Sequence, residues 1–100
     1  MSILSKQISK AILDSIEMAK SNGSLPNLDI PEYIHLSNPK QPEWGDYSSA
    51  FPLQMSKKIG MSPMIIAENI RKYLVIHTMF EDVSVSKPGF LNVTLSVDWL

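Results

Sequence analysis

Apolar residues recur at Leu4, Ile8, Ile12 and Ile16, with Ala11 and Ala19 beside them. A stripe spaced every four positions predicts an amphipathic helix. Lys6, Lys10, Asp14, Glu17 and Lys20 fall on the other side and predict its solvated face. Ser2 or Ser5 suits the helix start, and Asn22-Gly23 suits its end, because glycine tolerates the left-handed backbone found beyond helices. Residues 24–32 contain Pro26 and Pro31 and read as a loop. Tyr33-Ile34-His35-Leu36 alternates in character and is a short strand candidate. Pro39, Pro42 and Gly45 then interrupt regular structure, so Asn38–Asp46 is expected to be an ordered turn region or a mobile loop.

Phe51, Met55 and Ile59 make a second helical stripe, predicting a helix over about 49–59. Pro52 fits only in its first turn, where a missing N–H leaves nothing unpaired. Gly60 closes it. Ser62 and Pro63 then suit the cap and first position of a third helix. Its inner face is Ile66, Ala67, Ile70, Tyr73 and Leu74, and an outer pair, Glu68 and Lys72, stands at i,i+4 spacing. Beyond residue 80 the period changes to two. Val83 and Val85 alternate with serines, and Leu91, Val93, Leu95 and Val97 alternate with Phe90, Asn92, Thr94 and Ser96. Two half-buried strands joined at Pro88-Gly89 make a hairpin.

The hairpin register has consequences. A strict two-residue loop would pair Val85 with Asn92 and mix the faces. A three-residue loop over Pro88-Gly89-Phe90 would pair Val85 with Val93 and Val83 with Leu95, and a bulge would restore the same matching. One of the last two is expected, because a one-residue slip exposes the whole apolar set. The face carrying Phe90, Asn92, Thr94 and Ser96 is then expected toward solvent or a partner. An exposed aromatic near an amide suits RNA, the ring stacking on a base and the amide bonding to its edge. The plain alternative is that Phe90 folds over the sheet edge and Asn92 serves the turn.

One hundred residues make one small domain. With 44% hydrophobic and 19% charged residues the composition is globular rather than disordered. No cysteine is present, which removes disulfides, thiolate metal sites and a cysteine nucleophile and fits a cytoplasmic setting. No apolar run is long enough to cross a membrane, and Met1–Lys6 lacks the apolar core of a secretory signal. A net charge of −1 argues against a stand-alone, non-specific nucleic-acid binder.

Candidate chemistry is sparse. His35 and His77 lie in unrelated contexts, so no metal site is expected; His77 suits the end of the third helix. No serine sits in a nucleophile elbow, and four glycines form no phosphate loop. Glu43 and Asp46 flank Trp44-Gly45 and are expected to cap backbone N–H groups rather than do acid–base work. Met55-Ser56-Lys57-Lys58 is similar to part of the Lys-Met-Ser-Lys-Ser loop of class I aminoacyl-tRNA synthetases, but it falls in a helical stripe and lacks the leading lysine. Lys57 and Lys58, with Arg71, Lys72 and Lys87, are candidates for phosphate contact. Their default is a solvated face.

Four motifs taken together resemble the N-terminal additional domain of arginyl-tRNA synthetases. They are Pro42-Glu43-Trp44-Gly45-Asp46-Tyr47-Ser48, then Ser56-Lys57-Lys58-Ile59-Gly60, then Pro63 with Ile66-Ala67-Glu68-Asn69-Ile70, and finally Pro88-Gly89-Phe90-Leu91-Asn92. The resemblance runs from the first helix to the last strand. It implies an α+β fold, a two-layer α/β domain of order α-β-β-α-β-β, with a small mixed sheet and helices on one face. The residues themselves supply a strand near 33–37, a short second strand near Asp46–Ser48 and the final hairpin. The resemblance also implies contact with the elbow and D-loop of tRNA-Arg through Phe90 and Asn92, with Lys87 beside them and Lys57 and Lys58 as weaker candidates. The chain departs from the family pattern at Ser48-Ser49-Ala50-Phe51-Pro52, where a small residue, Thr and Asn usually follow.

Neither a His-Ile-Gly-His signature nor a true Lys-Met-Ser-Lys-Ser loop is present, and the chain stops soon after a strand, at Val97-Asp98-Trp99-Leu100. The expectation is a fragment, residues 1–100 forming one domain of a longer arginine–tRNA ligase. That parent would use ATP to form arginyl-adenylate and pass arginine to the tRNA 3′ end, while the fragment, holding no cofactor, would be inactive alone. Its implied partners are tRNA-Arg and the catalytic domain of the same chain, with neither DNA nor a membrane. The alternative is a docking or structural module that touches no RNA. An independent small enzyme is disfavoured by the lack of a nucleophile, metal site or phosphate loop.

Overall fold

A computed structural model describes residues 3–39 and 41–99. Three helices and three strands account for its regular structure, in the order α1 (Ile3–Ser21), a 3-10 turn (Pro42–Trp44), β1 (Tyr47–Ser49), α2 (Phe51–Ile59), α3 (Pro63–Leu74), β2 (Phe80–Ser86), β3 (Phe90–Leu95) and a second 3-10 turn (Val97–Trp99). The predicted stripes become the core. Ile8, Ile12 and Ile16 of α1 meet Ile66, Ala67, Ile70 and Leu74 of α3, and Val83, Leu91, Val93 and Leu95 close the layer from the sheet. Helix α3 packs on α1, α2, β2 and β3, so it is the hub of the helical layer.

The helix ends follow local chemistry. Ser5 lies within α1, so it is not the cap there, and Ser2 lies outside the described residues. Ala50 at the head of α2 makes no side-chain cap bond, and the N–H of Phe51 donates to Oγ of Ser49, the residue before Ala50, at 3.2 Å. Ser62 stands at the head of α3 without a side-chain cap bond, and Pro63 follows it. The expected Glu68–Lys72 pair does not form. Lys72 Nζ instead donates to Ser24 Oγ at 3.2 Å, Tyr73 OH shares a hydrogen bond with the same hydroxyl at 2.9 Å, and Asn69 Nδ2 donates to the Ser24 carbonyl at 2.8 Å. These three fasten the loop after α1 onto α3.

The α+β class and the helices on one face stand as expected, but two expectations are corrected. The sheet has the order β1-β3-β2 and every pairing in it is antiparallel, so it is not mixed. Residues 33–37 do not form a strand. Only Ser37 bridges to Ser48, through two backbone hydrogen bonds of 2.8–2.9 Å. The reason is tertiary: the N–H of Ile34 donates instead to Ser9 Oγ of α1 at 2.8 Å, and β1 gives way to α2 immediately beyond Ser49. The would-be partner backbone turns into a helix before a ladder can extend.

The hairpin register is the third correction. The loop is Lys87-Pro88-Gly89, one residue earlier than expected, with Ser86 opposite Phe90, Val85 opposite Leu91 and Val83 opposite Val93. Apolar still faces apolar, as the pattern required, though with different partners. A bulge between Phe80 and Asp82 shifts parity by one, which brings Phe80 onto the core face opposite Leu95. Gly89 explains why the turn sits where it does. A Cβ there would fall on Pro63 Cβ, so the turn packs flush against the head of α3 only because residue 89 has no side chain.

Candidate nucleic-acid interface

Residues 38–39 and 41–46 roof the sheet on the side away from the helices, Asn38, Pro39 and Trp44 sharing a cleft with Ser48 and Phe90. The 3-10 turn Pro42–Trp44 packs on β3. Next to it Gly45 adopts φ +124° and ψ −161°, a region essentially reserved for glycine. A Cβ on Gly45 would lie 2.5 Å from the Val93 carbonyl oxygen and 2.8 Å from Thr94 Oγ1. Asp46 then clasps β3 twice: its N–H donates to the Val93 carbonyl at 2.8 Å, and its Oδ2 accepts the N–H of Leu95 at 2.8 Å. The expected capping of backbone by an acid is therefore met at Asp46, on a strand rather than a helix.

This roof changes the fate of Asn92. Sequence alternation put Asn92 on a solvent face, yet it is only 1% exposed. It lies in the central strand, with Ser48 of β1 on one side and Ser84 of β2 on the other. Alternation still governs which side of the sheet it takes, but this roof and the flanking strands cover that side. Asn92 Nδ2 donates to Ser86 Oγ at 3.0 Å. Its Oδ1 is buried with no hydrogen-bond partner, the only such side-chain atom among the described residues. A buried unpaired acceptor costs about 1–3 kcal/mol.

Phe90 is half-buried and lines a small cleft of about 90 Å³ with Ser37, Asn38, Pro39, Trp44 and Ser48. The cleft sits over the Asn92 neighbourhood, because Ser48 pairs with Asn92 and Phe90 pairs with Ser86, the residue that holds the Asn92 amide. Two large rings thus border an opening whose wall includes Ser48, the β1 partner of Asn92, while the unpaired Asn92 Oδ1 is itself buried. Sequence reasoning had singled out Phe90 and Asn92 but not Trp44, Ser48 or Ser86. The one available signal was a tryptophan placed among turn-forming residues, beside a glycine.

Lys87 is exposed in the hairpin turn, and Lys57 and Lys58 are exposed in the last turn of α2. Contact of Gly89 with Pro63 brings the hairpin turn against the segment that follows α2, and the three lysines flank that junction in sequence. None has an acidic partner: among the described residues the one ion pair is Lys10–Asp14, at 3.1 Å. Arg71 is not free, since its Nε donates to the Val83 carbonyl at 2.6 Å. His77 follows α3, where its Nδ1 accepts the N–H of Met79 at 3.4 Å. Among the described residues no three His, Asp or Glu side chains group as metal ligands, and no helix is long and apolar enough to cross a membrane.

The family described as the arginyl tRNA synthetase N terminal domain matches residues 2–95. The chain belongs to this family. An arginine–tRNA ligase of Dehalococcoides mccartyi is 32% identical over 93 residues, covering 93% of this chain and 16% of that protein. One of Acetivibrio thermocellus is 33% identical over 98 residues, covering 97% and 17% respectively. The chain therefore spans about a sixth of the length of the curated relatives it matches. The arginyl-tRNA synthetase of Plasmodium falciparum superposes with a TM-score of 0.76 at 24% identity over 99% of this chain and 17% of its own. That of Thermus thermophilus gives 0.71 at 19% identity over 96% and 14%. At those identities the two structures establish the fold. The Pro42–Ser48 and Pro88–Asn92 motifs of this synthetase domain are now seen to meet at one place, with Gly45 and Asp46 laid across β3 and Phe90 closing the cleft beside them.

Proposed function

We propose that this domain is an accessory tRNA-binding module of an arginine–tRNA ligase. In this reading the cleft between Trp44 and Phe90 takes an unpaired base of the tRNA-Arg D-loop at the tRNA elbow. The buried, unpartnered Oδ1 of Asn92 carries the reading. It is a hydrogen-bond acceptor on the strand residue that pairs with Ser48 of the cleft wall, and a base edge carries the donor it lacks. Phe90 supplies the stacking surface, while Lys87, with Lys57 and Lys58, meets phosphates. With so few cations the isolated domain binds weakly and contributes orientation and specificity. The parent enzyme joins arginine to tRNA-Arg with ATP in the cytoplasm through a catalytic domain of the same chain. Residues 1–100, lacking the catalytic signatures, are inactive alone.

Amide NMR titration at low salt, with tRNA-Arg and a tRNA for another amino acid, tests this reading. Shifts centred on Phe90 and Asn92 and larger with tRNA-Arg are expected. Equal, diffuse shifts over the lysines with both RNAs would reduce the interaction to non-specific charge contact. Loss of one base stack in Phe90→Ala weakens tRNA binding roughly tenfold.

The burial of Asn92 and its bond to Ser86 favour a second reading, in which Asn92 serves the hairpin and the domain docks on protein without touching RNA. Asn92→Leu separates the two. It removes an unsatisfied buried acceptor at similar volume, so urea denaturation should find stability within about 1 kcal/mol of the parent sequence. If Asn92 meets a base, the tRNA-induced shifts at the cleft are lost with it. Unchanged titration would favour the docking module.

A further inference from the structure

A second and larger cleft, of about 660 Å³, opens where residues 33–37 fail to become a strand. One wall is the segment through Tyr33 and His35. The other is the face of α2 bearing Phe51, Gln54 and Lys58. Its origin is the fork described above: Ser37 holds to Ser48, and beyond Ser49 the two backbones part as α2 begins. The volume is within the range of small-ligand sites, roughly 300–1,000 Å³.

The lining has the chemistry of a nucleotide site. Tyr33 and His35 form an edge-to-face pair with ring centroids 5.4 Å apart and planes at 86°. The two rings are not stacked on each other, and His35 is exposed. Lys58 stands exposed at the rim with no anionic partner among the described residues, free to meet a phosphate. Asp29 and Gln54, also in the lining, offer acceptors and a donor for ribose hydroxyls and a base edge. The cleft also adjoins the Trp44–Phe90 cleft. Ser37 and Ser48 line the smaller one, and His35 and Ser49, their near neighbours in sequence, line the larger. Along both segments the Ser37–Ser48 bridge falls between the residues that line one cleft and those that line the other.

We infer that the larger cleft is a second nucleotide subsite, taking an unstacked RNA nucleotide that neighbours the one held at Phe90, with its base against Tyr33 and His35 and its phosphate on Lys58. This rests on the tRNA-binding reading given above. One RNA strand crossing the Ser37–Ser48 ribbon fills both clefts, so the domain holds two unpaired nucleotides rather than one.

The test is titration of the isotopically labelled chain with a tRNA-Arg transcript, following amides of both clefts, with Kd measured for His35→Ala and Lys58→Gln across a salt series. Both substitutions fall at exposed side chains, so folding is kept. The expected result is shifts at Tyr33, His35 and Lys58 together with those at Phe90. His35→Ala should weaken binding roughly threefold to tenfold, and Lys58→Gln should flatten the slope of log K against log salt by about 0.7–0.9. Shifts at Phe90 with silent amides at Tyr33 and His35, and His35→Ala binding as the parent sequence does, would overturn the second subsite and leave the first intact. Silence in both clefts would overturn the tRNA reading and this inference with it.

Discussion

Gly45→Ala is expected to lower stability by about 3 kcal/mol or more, although it adds one methyl group at the surface of a turn. Two effects combine. The backbone at φ +124° and ψ −161° is open to glycine and costs any other residue about 1–3 kcal/mol. The new Cβ would also press on the Val93 carbonyl oxygen and Thr94 Oγ1, a contact that only a shift of the loop relieves. That shift would loosen the two hydrogen bonds by which Asp46 holds β3. For a domain of this size each kcal/mol is worth about 4–8 °C in Tm, so thermal unfolding followed by circular dichroism should drop by at least about 12 °C. A drop below about 4 °C would mean that the roof over Asn92 is not fastened as described.

Ile70→Ala should be comparably damaging for a different reason. Ile70 is 0% exposed on the inner face of α3, the helix that touches α1, α2 and both strands of the hairpin. Truncation removes buried methyl groups and leaves a cavity that four surrounding elements must collapse together to fill, at a cost of about 2–5 kcal/mol. Total stability for such domains is about 5–15 kcal/mol, so urea denaturation should show a much lower midpoint with an unchanged slope. Ile65→Ala, five residues earlier on the same helix but 54% exposed, should stay within about 0.5 kcal/mol. Equal effects at the two positions would contradict the assignment of the core face.

These cases mark what the chain discloses before it is folded. Helical stripes announced α1, α2 and α3 to within a few residues, because each buries one face against one layer. The hairpin was equally plain, since alternation forces apolar residues of both strands to the same side. Three features were not legible, each for a reason beyond local pattern. Tyr33–Leu36 has strand character, but Ser9, far away in sequence, takes the N–H of Ile34. The hairpin loop falls one residue early because Gly89 must clear Pro63. Alternation gives Asn92 its face, toward solvent or a partner, but not its burial, because Pro39, Pro42 and Gly45 read as breakers and give no sign that they lie back over the sheet. Phe90 and Asn92 stand out by motif and alternation, while their neighbours Trp44, Ser48 and Ser86 need the tertiary structure.

The strand order β1-β3-β2 also bears on how the domain is made. Its central strand is the last of the three to leave a ribosome, so β1 emerges long before the partner it needs. Until β3 arrives, Asp46 has no strand to clasp, Ser48 has no neighbour but Ser37, and the apolar stripes of α1 and α3 have only each other. Helices whose contacts are close in sequence form early, and pairings of high sequence separation come late. A nascent chain should thus pass through a helical, half-covered intermediate between the emergence of α3 and that of β3. Closure of the sheet, and with it the cleft at Phe90, is a single late event that completes core and candidate binding surface together.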